Sequence, residues 1–350
     1  MKPTLHVLSP GLSTTVQDLG RPGHQWLGIP VGGALDPVSL RAANALVGNP
    51  PDTGALEVLY LGPTLAVEAE SIRMSFAGAD AIIEVLAGTD AAHGTLVETR
   101  RSIRLQRGAV IRIGGRLARS SVLYIAVEGG FAIEPVLGSV STCVRGRLGG
   151  WDGRALVDGD RLPLRRMSAS NRDDCRLQGM DLSVPARLRV IEGPQNDYFS
   201  KPQVEAFFAN EYTVSAGSDR MGMRLSGPKV EHARGFDIVS DGIAPGSIQI
   251  SGGGQPIVLL ADRQTTGGYP KIATVISADL PALGRLPIGA KIAFERVGLH
   301  EAEALRRKLL ADIDGIATRV VPLSESAPPA PNLLDFNLIS GVIDARHAPA

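Results

Sequence analysis

Glycine interrupts the apolar runs of this chain so often that short strands are favoured over long helices. The 350 residues include 41 glycines, a residue that turns accept readily because it adopts positive φ without strain. Between Gly108 and Gly115, apolar and polar side chains alternate as they do in a strand with one buried face. The sequence therefore predicts a mainly β protein. Further predicted strands are Ser102–Leu105, Val122–Val127, Arg187–Ile191, Ile257–Leu260 and Lys291–Phe294.

Three segments predict helices. Asp36 is suited to cap a helix whose first residue is Pro37 and which stops at Gly48. Apolar residues recur at helical spacing in Glu301–Ile313, opposite a basic face, and a shorter helix is expected at Val204–Phe208. The expected helices are few and short beside the predicted strands.

Polar, aperiodic stretches divide the chain. The segment 165–178 predicts a boundary between domains, and the proline-rich segment 322–332 predicts an extended linker. The order Thr-Val, Asp, Arg, Gly, Pro recurs weakly in each half of the chain. Either two related units in tandem or chance would explain this repeat. We expect a first β-barrel subdomain at residues 1–170, a second at 171–318 and a Pro-rich C-terminal tail at 319–350.

Charge and composition exclude several classes of protein. Lysine plus arginine and aspartate plus glutamate both number 36, so the formal net charge is zero, whereas a nucleic-acid binder usually shows a basic excess. The first residues lack the apolar run of a signal peptide, and no stretch approaches the roughly 20 apolar residues of a membrane span. The two cysteines and six histidines lack the spacing of a metal site. We expect a cytoplasmic protein without a metal, nucleic-acid or membrane partner.

The first polar cluster that could carry chemistry lies near the N-terminus. Thr15, Gln17, Asp18 and Arg21 supply hydroxyl, amide, carboxylate and guanidinium groups within one short segment. Arg21 could clamp a carboxylate through two parallel hydrogen bonds. A turn in which Thr and Asp bond to their own backbone explains the cluster equally well.

The second cluster begins where the apolar run 257–261 gives way to a loop. Polar loops at the ends of rigid strands commonly hold functional sites. Lys271 could neutralise an oxyanion or act as a base, although a solvated hairpin loop is the structural alternative. The polar members of this cluster are Asp262, Arg263, Gln264, Thr265, Tyr269 and Lys271.

Three further residues complete the candidate set. Asp219 and Arg220 are adjacent, and Gln249 lies in the apolar run before a triple glycine. The Asp219–Arg220 pair could be a local ion pair, which contributes little when exposed.

Taken together, these clusters resemble the biotin-dependent carboxyltransferase family, which includes part of the carboxyltransferase domain of urea carboxylase. The resemblance implies two tandem cyclophilin-like β-barrel subdomains with a few short helices, in agreement with the predicted strands. The segments that carry it are Ser9–Gly23, Gly28–Asn49, Ala55–Leu65, Tyr124–Gly130, Glu192–Phe199, Ser218–Pro228 and Pro256–Pro281.

The resemblance also implies an activity and partners. Family members include subunits of bacterial ATP-dependent 5-oxoprolinases, which hydrolyse the lactam of 5-oxoproline to glutamate. Such a subunit would act with a KipI-like B subunit and a lactam-utilisation-type A subunit. ATP would be bound by this chain or by the complex, and the absence of a Gly-Lys-Ser/Thr phosphate loop favours the complex.

Two alternatives remain open. The first is a carboxyltransferase subunit that moves a carboxyl group from carboxybiotin to urea or a related amide, which needs a biotin carrier on another chain. The second is a KipA-like regulatory binding protein without enzymatic activity.

A site for a small amide or lactam is expected in a cleft between the two barrels, because such a substrate needs both hydrogen-bond donors and acceptors. Arg21 or Arg263 would hold its carboxylate, Lys271 would stabilise developing negative charge, and Asp262 or Asp18 would accept a proton. The other expected lining residues are Thr15, Gln17, Asp219, Arg220, Gln249, Gln264, Thr265 and Tyr269.

Overall fold

The first half of the chain forms a large antiparallel sheet around its own core. The computed structural model describes residues 2–89 and 94–326. Strands β1 to β10 are Thr4–Ser9, Ser13–Gln17, Ala55–Leu59, Thr64–Val67, Ser71–Leu86, Thr95–Val97, Arg101–Gln106, Val110–Val127, Arg161–Pro163 and Cys175–Leu177. The long strands β5 and β8 pair with each other, and β3 joins β2 to β8. Buried side chains such as Leu56, Phe76 and Ile125 fill the core beneath them.

The second half forms a separate sheet with a second core. Strands β11 to β20 are Leu188–Glu192, Tyr212–Val214, Gly222–Ser226, Asp241–Gly242, Ser247–Ile250, Pro256–Leu259, Thr266–Gly267, Lys271–Val275, Lys291–Ile292 and Phe294–Arg296. Eight of them form one sheet, while β14 and β17 pair as a two-stranded ribbon. Phe207 stacks on Phe294 in the core, with ring centroids 4.9 Å apart. The mainly β expectation is confirmed, with one half-barrel sheet and one nearly closed barrel.

Helices α1 (Pro37–Leu46), α2 (Lys201–Ala209), α3 (Leu280–Arg285) and α4 (Leu299–Asp314) accompany the sheets. The cap predicted for α1 is confirmed, because the Asp36 carboxylate accepts hydrogen bonds from the backbone N–H groups of Val38 (3.1 Å) and Ser39 (3.2 Å). The predicted helices at 204–208 and 301–313 are confirmed within α2 and α4. Helix α3 was not predicted, because its six residues are too few to show a helical period.

The end of the described chain returns to the first sheet. Strand β21 (Val320–Pro322) pairs with β10, which in turn pairs with β7. Strands β10 and β21 lie beyond residue 170, so the first sheet continues past the expected boundary between residues 170 and 171. That boundary itself stays a prediction. The short helix α5 (Leu323–Ser326) follows where an extended linker was predicted, and that prediction is wrong for these residues. Pro322 precedes the first turn, where a missing N–H does not disrupt a helix, and the rest of the predicted tail lies outside the described residues.

The two halves are in direct contact at α3. The hydroxyl of Ser121 on β8 donates a hydrogen bond to the carbonyl of Gly284 (2.7 Å). An ideal Cβ at Gly284 would lie only 2.6 Å from the carbonyl oxygen of Leu35, closer than real Cβ atoms come to backbone. The glycine therefore permits the second half to pack against the loop that precedes α1.

We predict that Gly284→Ala lowers the free energy of unfolding by about 1–3 kcal/mol, because the added methyl group overpacks this contact. The intrinsic helix preference for alanine, about 1 kcal/mol, favours the opposite result. Urea denaturation measures the change, and Gly88→Ala is the control because a Cβ there has no heavy atom within 4 Å. A stabilised Gly284→Ala variant would contradict close packing of the halves.

Candidate functional site

Asp18 holds a buried loop of the first half in place. Its carboxylate accepts hydrogen bonds from the hydroxyls of Ser139 (2.6 Å) and Ser141. It also accepts from the backbone N–H groups of Val140 (2.7 Å) and Gly20 (2.7 Å). Because four donors already occupy its two oxygens, the contacts argue against the proton-accepting role expected for Asp18, which stays a prediction.

Gln17 and Thr15 connect to the same loop. The Gln17 amide nitrogen donates to the Thr15 hydroxyl (2.9 Å) and to the carbonyl of Thr142 (3.0 Å). The Gln17 amide oxygen is buried and has no hydrogen-bond partner in the described part of the chain. This oxygen is therefore an acceptor still available to a ligand or a water molecule.

Arg21 is buried between this loop and the second half, with 1% of its surface exposed. Its guanidinium donates to the carbonyls of Ser141 and Val136, the latter at 3.4 Å from Nε. Its Nη1 atom has no hydrogen-bond partner among the described residues. An ideal Cβ at Gly32 would lie 3.6 Å from Nη1 and 3.5 Å from Oδ1 of Asp262. The N-terminal cluster and the second half thus both approach Gly32.

A buried arginine joins the two halves. Arg220, which is 8% exposed, binds both oxygens of Asp262, through Nε (2.8 Å) and Nη2 (3.0 Å). Its Nη1 binds the carboxylate of Glu57 on β3, and its Nη2 also donates to the carbonyl of Gly33 (2.6 Å). Arg220 therefore contacts one carboxylate from each half, and the carboxylate of Asp262 is paired with it.

Glu57 extends this network into the first half. It is fully buried, and its second oxygen accepts hydrogen bonds from the hydroxyl of Tyr124 (2.6 Å) and the N–H of Leu35 (2.8 Å). The Tyr124 hydroxyl in turn accepts from the N–H of Asp36 (2.9 Å), and the Asp36 carboxylate pairs with Arg285 (2.9 Å). A second ion pair thus crosses between the halves.

The electrostatics of this network stabilise its charges. Burial alone would lower the pKa of Arg220, but the carboxylates of Asp262 and Glu57 outweigh that effect and raise it above the usual value. Burial, together with the charges of Glu57 and Asp36, raises the pKa of Tyr124 well above its usual value. Tyr124 therefore remains protonated at neutral pH and keeps donating to Glu57.

Lys271 lies in a different corner, at the start of β18. Its side chain is only 4% exposed, and its ammonium donates to the Asp241 carboxylate (2.6 Å) and to the Gly242 carbonyl (3.3 Å). Gln195 accepts from the Lys271 backbone N–H (3.3 Å) and donates to Asp241 (3.4 Å). The hydrogen bond from Lys271 lowers the pKa of Asp241. Asp241 is itself 53% exposed, so this buried ammonium is paired with a solvated carboxylate.

The remaining loop residues surround Gly267 on β17. An ideal Cβ there would lie 2.9 Å from the amide nitrogen of Gln249 and 3.4 Å from that of Gln264. The Gln249 amide also donates to the carbonyl of Tyr269 (3.4 Å). Gln264 and Tyr269 are exposed, and Thr265 is partly buried. These side chains border the same ribbon that carries Asp241.

Asp219 and Arg263 make mainly backbone contacts. The Asp219 carboxylate accepts from the N–H groups of Met221 (2.8 Å) and Gly222 (3.1 Å) in an exposed turn. Asp219 therefore does not pair with its neighbour in the chain. Arg263 is buried and donates from Nε to the carbonyl of Ile243 (3.1 Å).

The residues expected to line a single cleft therefore lie in separate groups. The N-terminal cluster adjoins the Arg220 network at Gly32, whereas Lys271 and the glutamines gather around the ribbon of β14 and β17. Sequence reasoning missed Glu57, Tyr124, Asp241 and Gln195. Only Glu57 carried a visible signal, because it is a charged residue within the apolar run Ala55–Leu59.

Two negative findings apply to residues 2–89 and 94–326. No group of three or more His, Cys, Asp or Glu side chains is placed to hold a metal ion. No helix in these ranges combines the length and the apolar character needed to cross a membrane.

Comparison with known proteins identifies the family. The model of the carboxyltransferase domain, subdomains A and B, matches residues 27–296. The C-type subunit of the 5-oxoprolinase of Escherichia coli (strain K12) is 36% identical over 318 residues, which cover 90% of this chain and 98% of that protein. The protein of the same name from Haemophilus influenzae is 37% identical over 296 residues, covering 84% of this chain and 91% of that protein.

A solved structure supports the same conclusion. The chain superposes on the crystal structure of the Kluyveromyces lactis urea amidolyase with a TM-score of 0.80 and 27% identity. The match covers 92% of this chain but only 21% of the amidolyase. The chain belongs to the carboxyltransferase domain family, and the resemblance found in its sequence is confirmed.

We predict that Arg220→Met and Lys271→Met differ sharply in their effects on stability. Removing Arg220 leaves Glu57 and Asp262 buried without their cation and should lower the free energy of unfolding by about 3–5 kcal/mol. Removing Lys271 frees Asp241, which water can solvate, so the urea midpoint should change little. Equal losses in the two variants would contradict this distinction between buried and solvated partners.

Proposed function

We propose that this chain is the C-type subunit of an ATP-dependent 5-oxoprolinase, which hydrolyses 5-oxoproline to glutamate. The observation that carries the proposal is its 36% identity across 98% of the length of the C-type 5-oxoprolinase subunit of E. coli. Agreement over the whole length of one relative is more specific than agreement with one section of a large multidomain enzyme.

The proposed chemistry begins with activation of the lactam. ATP transfers its terminal phosphoryl group to the amide oxygen and leaves as ADP. Water then adds to the activated ring carbon, and the C–N bond breaks as the nitrogen takes a proton. A second water molecule hydrolyses the resulting acyl phosphate to glutamate and phosphate. Negative charge develops on the transferring phosphoryl group and on the ring nitrogen during these steps, so a fixed cation lowers the barrier. Lys271 is suited to this role because its ammonium is buried and held by Asp241 and Gly242.

The contribution proposed for this chain is electrostatic rather than basic. Asp262 is bound at both oxygens by Arg220, and Asp18 accepts four hydrogen bonds, from Gly20 and from the loop at 139–141. Neither carboxylate is free to take a proton from water without breaking these contacts. Of the two arginines expected to hold the substrate carboxylate, Arg263 lines the pocket between the halves and Arg21 does not, so we assign this role to Arg263.

The proposal includes partner subunits. The chain has no Gly-Lys-Ser/Thr phosphate loop, so we assign ATP binding to the complex. A KipI-like B subunit and a lactam-utilisation-type A subunit would complete the enzyme, in the cytoplasm where ATP is available.

A carboxyltransferase is the second candidate. The TM-score of 0.80 with urea amidolyase favours it, because the same fold occurs within a much larger chain there. In that case the chain would act on urea or a related amide and would need a biotin carrier from another chain.

The decisive assay is 5-oxoproline-dependent release of phosphate and glutamate by the chain co-expressed with its two partners. We expect activity from the complex and little from the isolated chain. Lys271→Ala should slow the complex roughly a hundredfold or more, the usual effect of losing one electrostatic donor. Its melting temperature should stay close to that of the wild type, because Asp241 becomes solvated.

Lys291→Ala is the matched control, since Lys291 is exposed and pairs loosely with Glu211 at 3.7 Å. Full activity in a well-folded Lys271→Ala complex would remove Lys271 from the mechanism. Robust lactam opening by the isolated chain would contradict the need for partners. Carboxylation of urea with a biotinylated carrier, without lactam opening, would favour the second candidate.

A further inference from the structure

A small pocket lies between the two halves and contains one charged side chain. Its volume is about 200 Å³, below the range of roughly 300–1,000 Å³ for drug-sized ligands. Leu35 and Pro37 line it from the first half, and Leu260 and Leu283 line it from the second. Within the described chain, Arg263 is its one charged lining residue.

Arg263 is almost completely removed from water, with 5% of its surface exposed. Nε donates to the carbonyl of Ile243 (3.1 Å) and Nη1 donates to that of Leu260 (3.3 Å). Nη2 makes no hydrogen bond within the ranges that the structure describes. In the same ranges, no carboxylate oxygen lies within the 4.0 Å of a salt bridge.

Three of the other four buried arginines in the described chain, Arg73, Arg220 and Arg285, pair with carboxylates. Arg73, with 1% exposed, pairs with Glu128 (3.0 Å) and Asp174 (2.9 Å). Arg21 also has no carboxylate within salt-bridge distance in the described chain, but it does not line this pocket. Arg263 is therefore the buried cation that a small ligand in this pocket would contact.

Charge and burial together specify the ligand. Burial lowers the pKa of Arg263, and no carboxylate opposes the effect, yet an arginine remains charged in proteins. A buried charge is unfavourable until it is paired and hydrogen-bonded. A carboxylate would supply the charge and accept from the free N–H groups, while the leucine and proline walls would pack against the methylene groups of a compact ring.

We infer that this pocket binds a small monocarboxylate with a compact five-membered ring, and that Arg263 holds its carboxylate. The inference rests on the proposed function only for the identity of the natural ligand, which would be 5-oxoproline. The pocket itself follows from the unpaired arginine and the apolar walls.

Isothermal titration calorimetry on the purified chain tests this inference with three probes. They are 5-oxoproline, cyclopentanecarboxylate, which lacks the lactam, and 2-pyrrolidinone, which lacks the carboxylate. We expect both carboxylates to bind and the neutral lactam not to bind. Arg263→Met should weaken both carboxylates at least about tenfold, and Arg263→Lys should retain part of the affinity because it keeps the charge.

Arg112→Met is the matched control, because Arg112 is 45% exposed, pairs with Glu84 across β5 and β8, and does not line this pocket. Arg263→Met should keep or raise the melting temperature, since it removes an unpaired buried charge. Equal carboxylate affinities in wild type and a folded Arg263→Met variant would overturn the inference, as would failure of both carboxylates to bind the wild type.

Assays of the assembled complex distinguish a failure of this inference from a failure of the proposed function. Carboxylate binding through Arg263 without lactam opening by the complex would refute the function and leave the pocket intact. Lactam opening with an unchanged KM in Arg263→Met would refute the pocket and leave the function intact.

Discussion

The buried ion pairs of Arg220 are the interaction on which the arrangement of the two halves depends. One guanidinium binds Glu57 from the first sheet and Asp262 from a turn of the second half. In a poorly solvated interior these attractions are strong, and each group would be costly to leave alone. Arg220 also binds the carbonyl of Gly33, so the loop before α1 is held to the second half.

The same network fixes the walls of the pocket between the halves. Leu35 donates its backbone N–H to Glu57 and lines the pocket from one side. Arg263 follows Asp262 in the chain and lines it from the other side. Because Glu57 and Asp262 both bind Arg220, the position of one wall is tied to that of the other. The residues that stabilise the interface are thus distinct from those free to bind a ligand.

Three buried cations illustrate how the surroundings decide a role. Arg220 is neutralised by carboxylates that are themselves buried, which suits a structural role. Lys271 is neutralised by the half-exposed Asp241, whose carboxylate water can solvate when the pair separates. Arg263 is bound only by backbone carbonyls and retains its full charge for a ligand. Arginine and lysine residues that look alike in the sequence therefore have structural or functional roles according to the groups that they contact in the fold.

Much of the fold could be predicted, because local patterns carried it. Asp36 and Pro37 marked the start of α1, and glycines marked the ends of short strands. Strand β10 was not recognised, since its polar sequence becomes a strand through pairing with residues distant in the chain. The cluster around Lys271 was visible in sequence, but its partner Asp241 was not, because a loop brings that residue back from 30 positions away. Glu57 was overlooked because a single charge in an apolar strand reveals no partner until the halves are assembled.

A double-mutant cycle between Glu57 and Arg220 tests most directly whether their interaction joins the two halves. The unfolding free energies of wild type, Glu57→Gln, Arg220→Met and the double variant would be measured in urea. A coupling energy of about 2–3 kcal/mol, near the upper end for residues in contact, is the predicted result. Additive effects within about 0.5 kcal/mol would contradict it, because the halves would then be held together without this pair.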